Sequence, residues 1–260
     1  MKKMLPIGLF DSGVGGLTIL REIARALPYE NLIYFGDTAR LPLGDKSPDA
    51  IVRFTLENAK FLMRQNIKLL IVACHTACSH AMEILEHLLP IPVLGVMAPG
   101  ISDLLAATKS KRVALLGTAA TIASGVFQTQ LQTLQVYPIA CPLFVPLTEE
   151  GLQNHPVAAY IAKYYLSPLQ GAGIDAALLA CTHYPLLSAV IQQTVGPEVQ
   201  LIEPACSTAQ EVFHCLNRHN LLNPKNTIPE IRFFVSGDPE KFRRLAKMFF
   251  PFPIKKVQLA

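Results

Sequence analysis

Two cysteines stand in matching contexts. Cys74 closes an apolar run in the stretch IKLLIVACHTACSH at 67–80, and Cys181 does the same in GIDAALLACTHYPL at 173–186. In each, an apolar run of strand length ends in Ala-Cys, two polar residues follow, and an apolar-periodic stretch then predicts a helix. The first copy reads Ala73-Cys74-His75-Thr76 and the second Ala180-Cys181-Thr182-His183. A thiol at the C-terminal end of a parallel strand lies where open α/β sheets form binding crevices, and free N–H groups at a helix start stabilise a thiolate. Two thiols on opposite sides of a bound molecule suit inversion at a carbon bearing hydrogen. One removes the proton from one face and the other delivers a proton to the opposite face, whereas a single base returns its proton to the side it came from. The α proton of an amino acid is very weakly acidic and a thiol has a reference pKa of about 8.5. Such a site must hold developing carboxylate charge with oriented donors and must help each thiol ionise, for which Asp11 and His183 are candidates. The alternative, that each is a small buried hydrophobe, is the weaker reading for either cysteine alone and weaker still for the matched pair.

A second echo fixes the elements around the thiols. LPIGLFDSG at 5–13 and RVALLGTAA from Arg112 are each an apolar run followed by small or polar residues and a helical pattern. The two halves therefore read as diverged copies of one α/β unit. The expected fold is α/β, with two similar three-layer domains related by a pseudo-two-fold axis and the site in the cleft between them. Residues 1–97 plus 210–260 form the first expected domain and 98–209 the second, the last strand-helix pair returning after a linker at 217–230.

The loops at the strand ends carry further candidates. Asp11-Ser12-Gly13-Val14-Gly15-Gly16 turns the first strand into a helix, and its glycines allow close approach to the backbone. It lacks the spacing of a dinucleotide fingerprint, and Asp11 would place negative charge against a pyrophosphate. A small ligand with an ammonium group and a carboxylate fits better. A polar loop from Gly36 to Gly44 follows the second strand, and Ser47 with Pro48 predicts the start of a helix over 49–65. In the second half a single helix is expected over 120–132. Residues 141–151 are too rich in proline to predict regular structure, and either Glu149 or Glu150 could face the site. His75 follows Cys74 directly. A protonated imidazole there would lower the thiol pKa or hold a carboxylate, whereas a neutral one would donate through one nitrogen.

Composition narrows the class. The chain has 260 residues, 51% hydrophobic, and a mean hydropathy of +0.33. Its most apolar stretch, 84–107, is broken by Pro90, Pro92, Pro99 and Asp103, so no membrane span is expected, and the start has no long signal-type apolar region. A cytoplasmic location is the natural expectation. The six cysteines contain no CxxC pair, and Cys74, Cys78, His75 and His80 have no partner pattern for zinc, so neither disulfides nor a metal are expected. Net charge is +4, much of it from Arg232, Lys241, Arg243, Arg244, Lys247, Lys255 and Lys256 near the end. Without interleaved aromatics or a recognition motif, that tail reads as a solvated helix face and not a nucleic-acid surface.

Six blocks spread along the chain resemble the cofactor-independent aspartate/glutamate racemase family. They are FDSGVGGLTIL at 10–20, YFGDTARLPLG at 34–44, VACHTA at 72–77, CPLFVPLTEEG at 141–151, ACTHYPLL at 180–187 and SGDPEKFRRLA at 236–246. The resemblance implies that Cys74 and Cys181 are the paired acid/base residues, assisted by Asp11, His183 and Glu149. It implies that Ser12, Pro42, Leu43, Gly44, His75, Thr76 and Thr182 line the substrate site, that no cofactor is used, and that the chain forms a homodimer. Glutamate is the implied substrate, and D-glutamate for peptidoglycan the implied product. The chain departs from the family pattern at His75, where asparagine is usual, at Leu43 (tyrosine), at Cys78 (serine) and at Glu203-Pro204 (aspartate and a small residue). These departures leave open aspartate or another small acidic amino acid as substrate, or a weakly active binding protein on the same fold.

Overall fold

Short runs of leucine, isoleucine and valine form the strands, and the amphipathic stretches between them wind into helices that cover both sheet faces. The computed structural model describes residues 2–225, 227–254 and 256–260. Its first half holds β1 (Ile7–Asp11), α1 (Leu17–Ala26), β2 (Leu32–Gly36), α2 (Pro48–Met63), β3 (Leu69–Val72), α3 (His75–Leu88) and β4 (Val93–Gly95). The second half begins with α4 (Met97–Ala107), β5 (Arg112–Gly117), α5 (Ala119–Ala123), α6 (Val126–Gln130) and β6 (Gln135–Ala140). It continues through α7 (Phe144–Glu149), α8 (Pro156–Leu166), β7 (Ala176–Ala180), α9 (Ser188–Val195) and β8 (Gln200–Ile202). The chain then returns through α10 (Ala205–Arg218), β9 (Ile231–Val235), α11 (Pro239–Ala246) and β10 (Val257–Leu259).

Two parallel sheets result, in the orders β10-β9-β2-β1-β3-β4 and β6-β5-β7-β8. The inner order β2-β1-β3-β4 of the first matches β6-β5-β7-β8 of the second, so β1 corresponds to β5 and β3 to β7. Every residue of β1, β2, β3 and β7 is buried, as strands covered on both faces must be. Cys74 and Cys181 each follow the equivalent strand of their half. At the other end of the first sheet, buried Lys68 meets Glu30 at 2.5 Å and donates to the carbonyls of Lys3 and Leu221, tying the chain start and the linker to the sheet.

Several local expectations change. The helix expected over 120–132 is two short helices, α5 and α6, because Gly125 sits between them at φ +70°, a conformation that ends a helix and suits glycine. Residues 141–151 are not irregular, since α7 runs through them with Pro146 as its third residue. A proline there forfeits an N–H that has no helical partner in any case. Ser47 caps α2 with Pro48 first, as its spacing predicts. Helices α4 and α10 carry no strong sequence signal. The first opens on Met97-Ala98-Pro99-Gly100, and the second buries a stripe made largely of small or polar residues, including Ala205, Thr208, Ala209 and Cys215.

Candidate active site

The C-terminal ends of the two sheets face each other and enclose a cavity of about 20 Å³. The first half supplies Ser12, Pro42, Leu43, Gly44, Cys74, His75 and Thr76 to its wall, and the second supplies Cys181, Thr182 and His183. Asp11 and Glu149 stand behind that wall and reach it through their neighbours. Leu41, Thr118 and Val145 also line the cavity, and the sequence reading did not single them out. Thr118 had a signal, because it follows β5 just as Asp11 and Ser12 end and follow β1.

Close approach of the halves depends on glycine at two points. A Cβ on Gly15 would lie 2.4 Å from Thr182 Oγ1 and 2.8 Å from His183 Nδ1. One on Gly44 would lie 2.4 Å from Thr118 Cβ. Both separations are far inside van der Waals contact, so only glycine lets these loops touch the opposite half. Hydrogen bonds then cross the same gap. Thr182 donates its hydroxyl to Asp11 Oδ1 at 3.3 Å, and the hydroxyls of Thr76, Thr118 and Thr121 form a triangle with edges of 2.9 to 3.0 Å. Neither Thr76 nor Thr182 is spent as a helix cap.

The two thiols have different surroundings. Cys74 is the N-cap residue of α3, and its Sγ lies 3.6 Å from Ser12 Oγ. Burial and the Asp11 carboxylate push its pKa up to about 12, against hydrogen bonds from the Ala77 N–H and Ser12. Asp11 is itself raised by burial, while the charge of His183 and hydrogen bonds from Gly13, Gly16 and Thr182 oppose the rise. Its carboxylate accepts from the Gly13 N–H at 3.0 Å, so it braces the loop but does not cap α1, whose N-cap is Gly16.

On the other side, Cys181 Sγ lies 4.0 Å from His183 Nδ1, and His183 Nε2 lies 2.8 Å from Glu149 Oε1. Burial pulls the imidazole pKa down, but hydrogen bonds and charge from Cys181 and Glu149 outweigh it and raise the value to about 10. As an imidazolium, His183 donates from Nε2 to Glu149 and from Nδ1 toward the sulfur. The regular structure of α7 decides which carboxylate faces inward: Glu149 is buried against His183, and Glu150 is exposed.

His75 differs from one expectation. Burial alone drops its pKa to about 3, so the ring is neutral and does not lower the pKa of Cys74. It stacks on Phe127 of α6 at 6.2 Å between centroids, and neither buried ring nitrogen has a hydrogen-bond partner in the protein. A neutral imidazole on the cavity wall with its donor unspent is suited to receive a polar ligand atom.

Among the described residues, no group of three or more His, Cys, Asp or Glu side chains is placed to hold a metal ion. No helix among them is long and apolar enough to cross a membrane. A larger open groove of about 810 Å³ lies between α3, α4, α6 and α10, and it contains neither Cys74 nor Cys181.

The sequence model of the Asp/Glu/hydantoin racemases matches residues 7–212. The chain belongs to this family. It is 48% identical over 247 residues to a glutamate racemase of Geobacter metallireducens, covering 94% of this chain and 92% of that one. Among family members of known structure, the fold superposes on glutamate racemase from Thermus thermophilus in complex with beta-chloro-D-alanine, with a TM-score of 0.89 and 43% identity. That match covers 99% of this chain and 97% of the other. Glutamate racemase from Francisella tularensis in complex with D-glutamate gives a TM-score of 0.93 at 36% identity, covering 99% and 98%. Within the family, the chain thus falls with the glutamate racemases.

Proposed function

We propose that the chain interconverts L- and D-glutamate without a cofactor, by moving the Cα proton between two thiols, and supplies D-glutamate for peptidoglycan synthesis. The observation that carries this reading is one cavity lined by Cys74 and Cys181 from equivalent positions of the two repeats. The flanking charges make the thiols complementary. The His183 imidazolium, held by Glu149, turns Nδ1 toward Cys181 Sγ at 4.0 Å, while burial and the Asp11 carboxylate keep Cys74 protonated. We assign Cys181, beside that cation, as the base and Cys74 as the acid. With the Cα–H bond directed at Cys181, its thiolate takes the proton as Cys74 delivers its own to the opposite face. The two sulfurs exchange protonation states, and the reverse reaction restores them.

Developing carboxylate charge needs donors, and those we assign are Ser12, Thr76, Thr182 and the neutral ring of His75, with the Pro42–Gly44 segment closing the pocket. We take 1–97 plus 210–260 and 98–209 as the two bodies that close on the substrate. We assign the working form as a cytoplasmic homodimer, in line with the family pattern. The test is racemisation by C74A and C181A, with deuterium incorporation at Cα in heavy water. Each variant is expected to lose racemisation by at least about a thousandfold while keeping its fold. Wild-type kcat/KM in either variant sinks the two-thiol mechanism, and a preference for aspartate over glutamate in the wild type sinks the substrate assignment.

A further inference from the structure

The loop that leads into Pro42, Leu43 and Gly44 is anchored on a charged cluster that the thiol chemistry does not use. Asp37, at the end of β2, is 2% exposed and would be a costly orphan without partners. Its Oδ1 accepts from Ser236 Oγ at 2.7 Å, and Oδ2 from Asn58 Nδ2 at 3.2 Å. The Arg40 Nε lies 2.9 and 2.7 Å from the two oxygens. The rest of the guanidinium is also engaged. Nη2 donates to Asn58 Oδ1 at 2.9 Å, Nη1 contacts Glu57, and the group lies 4.3 Å over the Phe54 ring.

This cluster joins three separate pieces of chain. Asn58, Glu57 and Phe54 belong to α2, Ser236 follows β9, and Arg40 stands just before the cavity-lining segment. Ser236 Oγ also accepts from the Ala39 N–H at 3.0 Å, and the Gly237 N–H donates to Thr38 Oγ1 at 3.1 Å. The Asp37 N–H donates to the Asp11 carbonyl at 2.9 Å, so the cluster is in register with the strand end that carries Asp11. Beyond Arg40, Leu43 is buried and Gly44 abuts Thr118 of the opposite half.

We propose that Arg40 is a positioning residue for the substrate loop: its guanidinium, gathered by Asp37, Asn58, Glu57 and Phe54, sets where Leu41–Gly44 stands against the second half. A planar fork with diverging N–H groups can satisfy Asp37, Asn58 and Glu57 at once and still lie on a ring, whereas a lysine ammonium is a single point charge. Lysine at this position keeps the charge beside Asp37 and loses the geometry. The C-terminal segment takes part in the site by this route, through Ser236, without touching the cavity.

The kinetic arm of the test rests on the proposed glutamate reaction, and the exchange arm does not. R40K is expected to raise KM for glutamate about tenfold, with kcat changed by less than about threefold. Amide hydrogen exchange over 38–46 is expected to quicken about tenfold while β1, β2 and β3 keep wild-type protection. In R40A, with its larger loss, added ethylguanidinium is expected to recover part of kcat/KM. Wild-type KM together with wild-type loop exchange in R40K overturns the proposal. So does uniformly faster exchange across the first sheet, because that marks a general loss of stability. If the wild-type protein does not racemise glutamate, the functional reading fails and the exchange comparison alone decides the role of Arg40.

Discussion

Glu149 is the residue whose placement most changes the chemistry of its neighbours. Its carboxylate and Cys181 together hold His183 protonated up to about pH 10 against the cost of burial. Removing that carboxylate leaves a buried imidazolium with one fewer counter-charge, so its pKa falls. E149Q is therefore expected to shift the high-pH limb of kcat/KM downward by a unit or more, a change of about 1.4 kcal/mol per unit, as read from profiles in both directions. The same link reaches stability. The folded value of about 10 exceeds the unfolded 6.5, so the His183 contribution is fully present below 6.5 and is lost as pH rises through 10. The gap between wild type and E149Q in urea midpoint should be wide near neutrality and close as pH approaches 10. A gap independent of pH would place the Glu149–His183 contact outside the protonation balance.

Elements deliver these residues by different means. Strands β3 and β7 carry the thiols to their C-terminal ends by register alone, whereas Glu149 needs the single turn and a half of α7, and Gly44 needs a loop held at both ends. Gly44 is where element packing is least forgiving, because a methyl group there would fall 2.4 Å from Thr118 Cβ. Relief requires moving either the loop or the start of α5, and both line the cavity. G44A is expected to lower kcat/KM about a hundredfold while the melting temperature stays within a few degrees. Kinetics and a thermal melt on the same sample check both halves of that statement. An active G44A would mean that the loop stands away from Thr118 in the working enzyme.

For the molecule as a whole, the cavity is the constraint. A volume of about 20 Å³ holds roughly one water, so glutamate enters only when the two halves part. Opening breaks the bond from Thr182 to Asp11 and those from Thr76 to Thr118 and Thr121. T76V removes two of these contacts and is expected to favour the open form by about 1 kcal/mol, or about fivefold in population. Alkylation of Cys74 and Cys181 by iodoacetamide should quicken by that factor, and saturating glutamate should slow it. Equal rates in wild type and T76V would show that the hydroxyl triangle does not resist opening.

The repeat, the paired thiols and most of the site were legible in the chain, because each rests on local pattern. An apolar run fixes a buried strand, and its C-terminal end in a parallel sheet fixes where Cys74, Cys181, Asp11 and Thr182 must lie. Helices α4 and α10 were missed for different reasons: α4 buries Met97, Gly100, Ile101 and Leu104 but opens through Pro99-Gly100, which reads as a boundary, whereas α10 spends much of its buried stripe on Ala205, Thr208, Ala209 and Cys215, whose small or polar side chains leave the apolar signal faint. The breaks at Gly125 and the regular turn through Pro146 escaped for a related reason: proline and glycine mark boundaries without saying on which side the helix stands. Charge states were set entirely by the tertiary structure. His75 and His183 are both histidines beside a thiol segment, yet burial without a partner takes one down to about 3, and burial against Glu149 and Cys181 takes the other up to about 10. Sequence placed both rings near the thiols, but Phe127 reaches His75 only through the closure of one half upon the other, and Glu149 reaches His183 only because α7 packs beside the end of β7 within the second half.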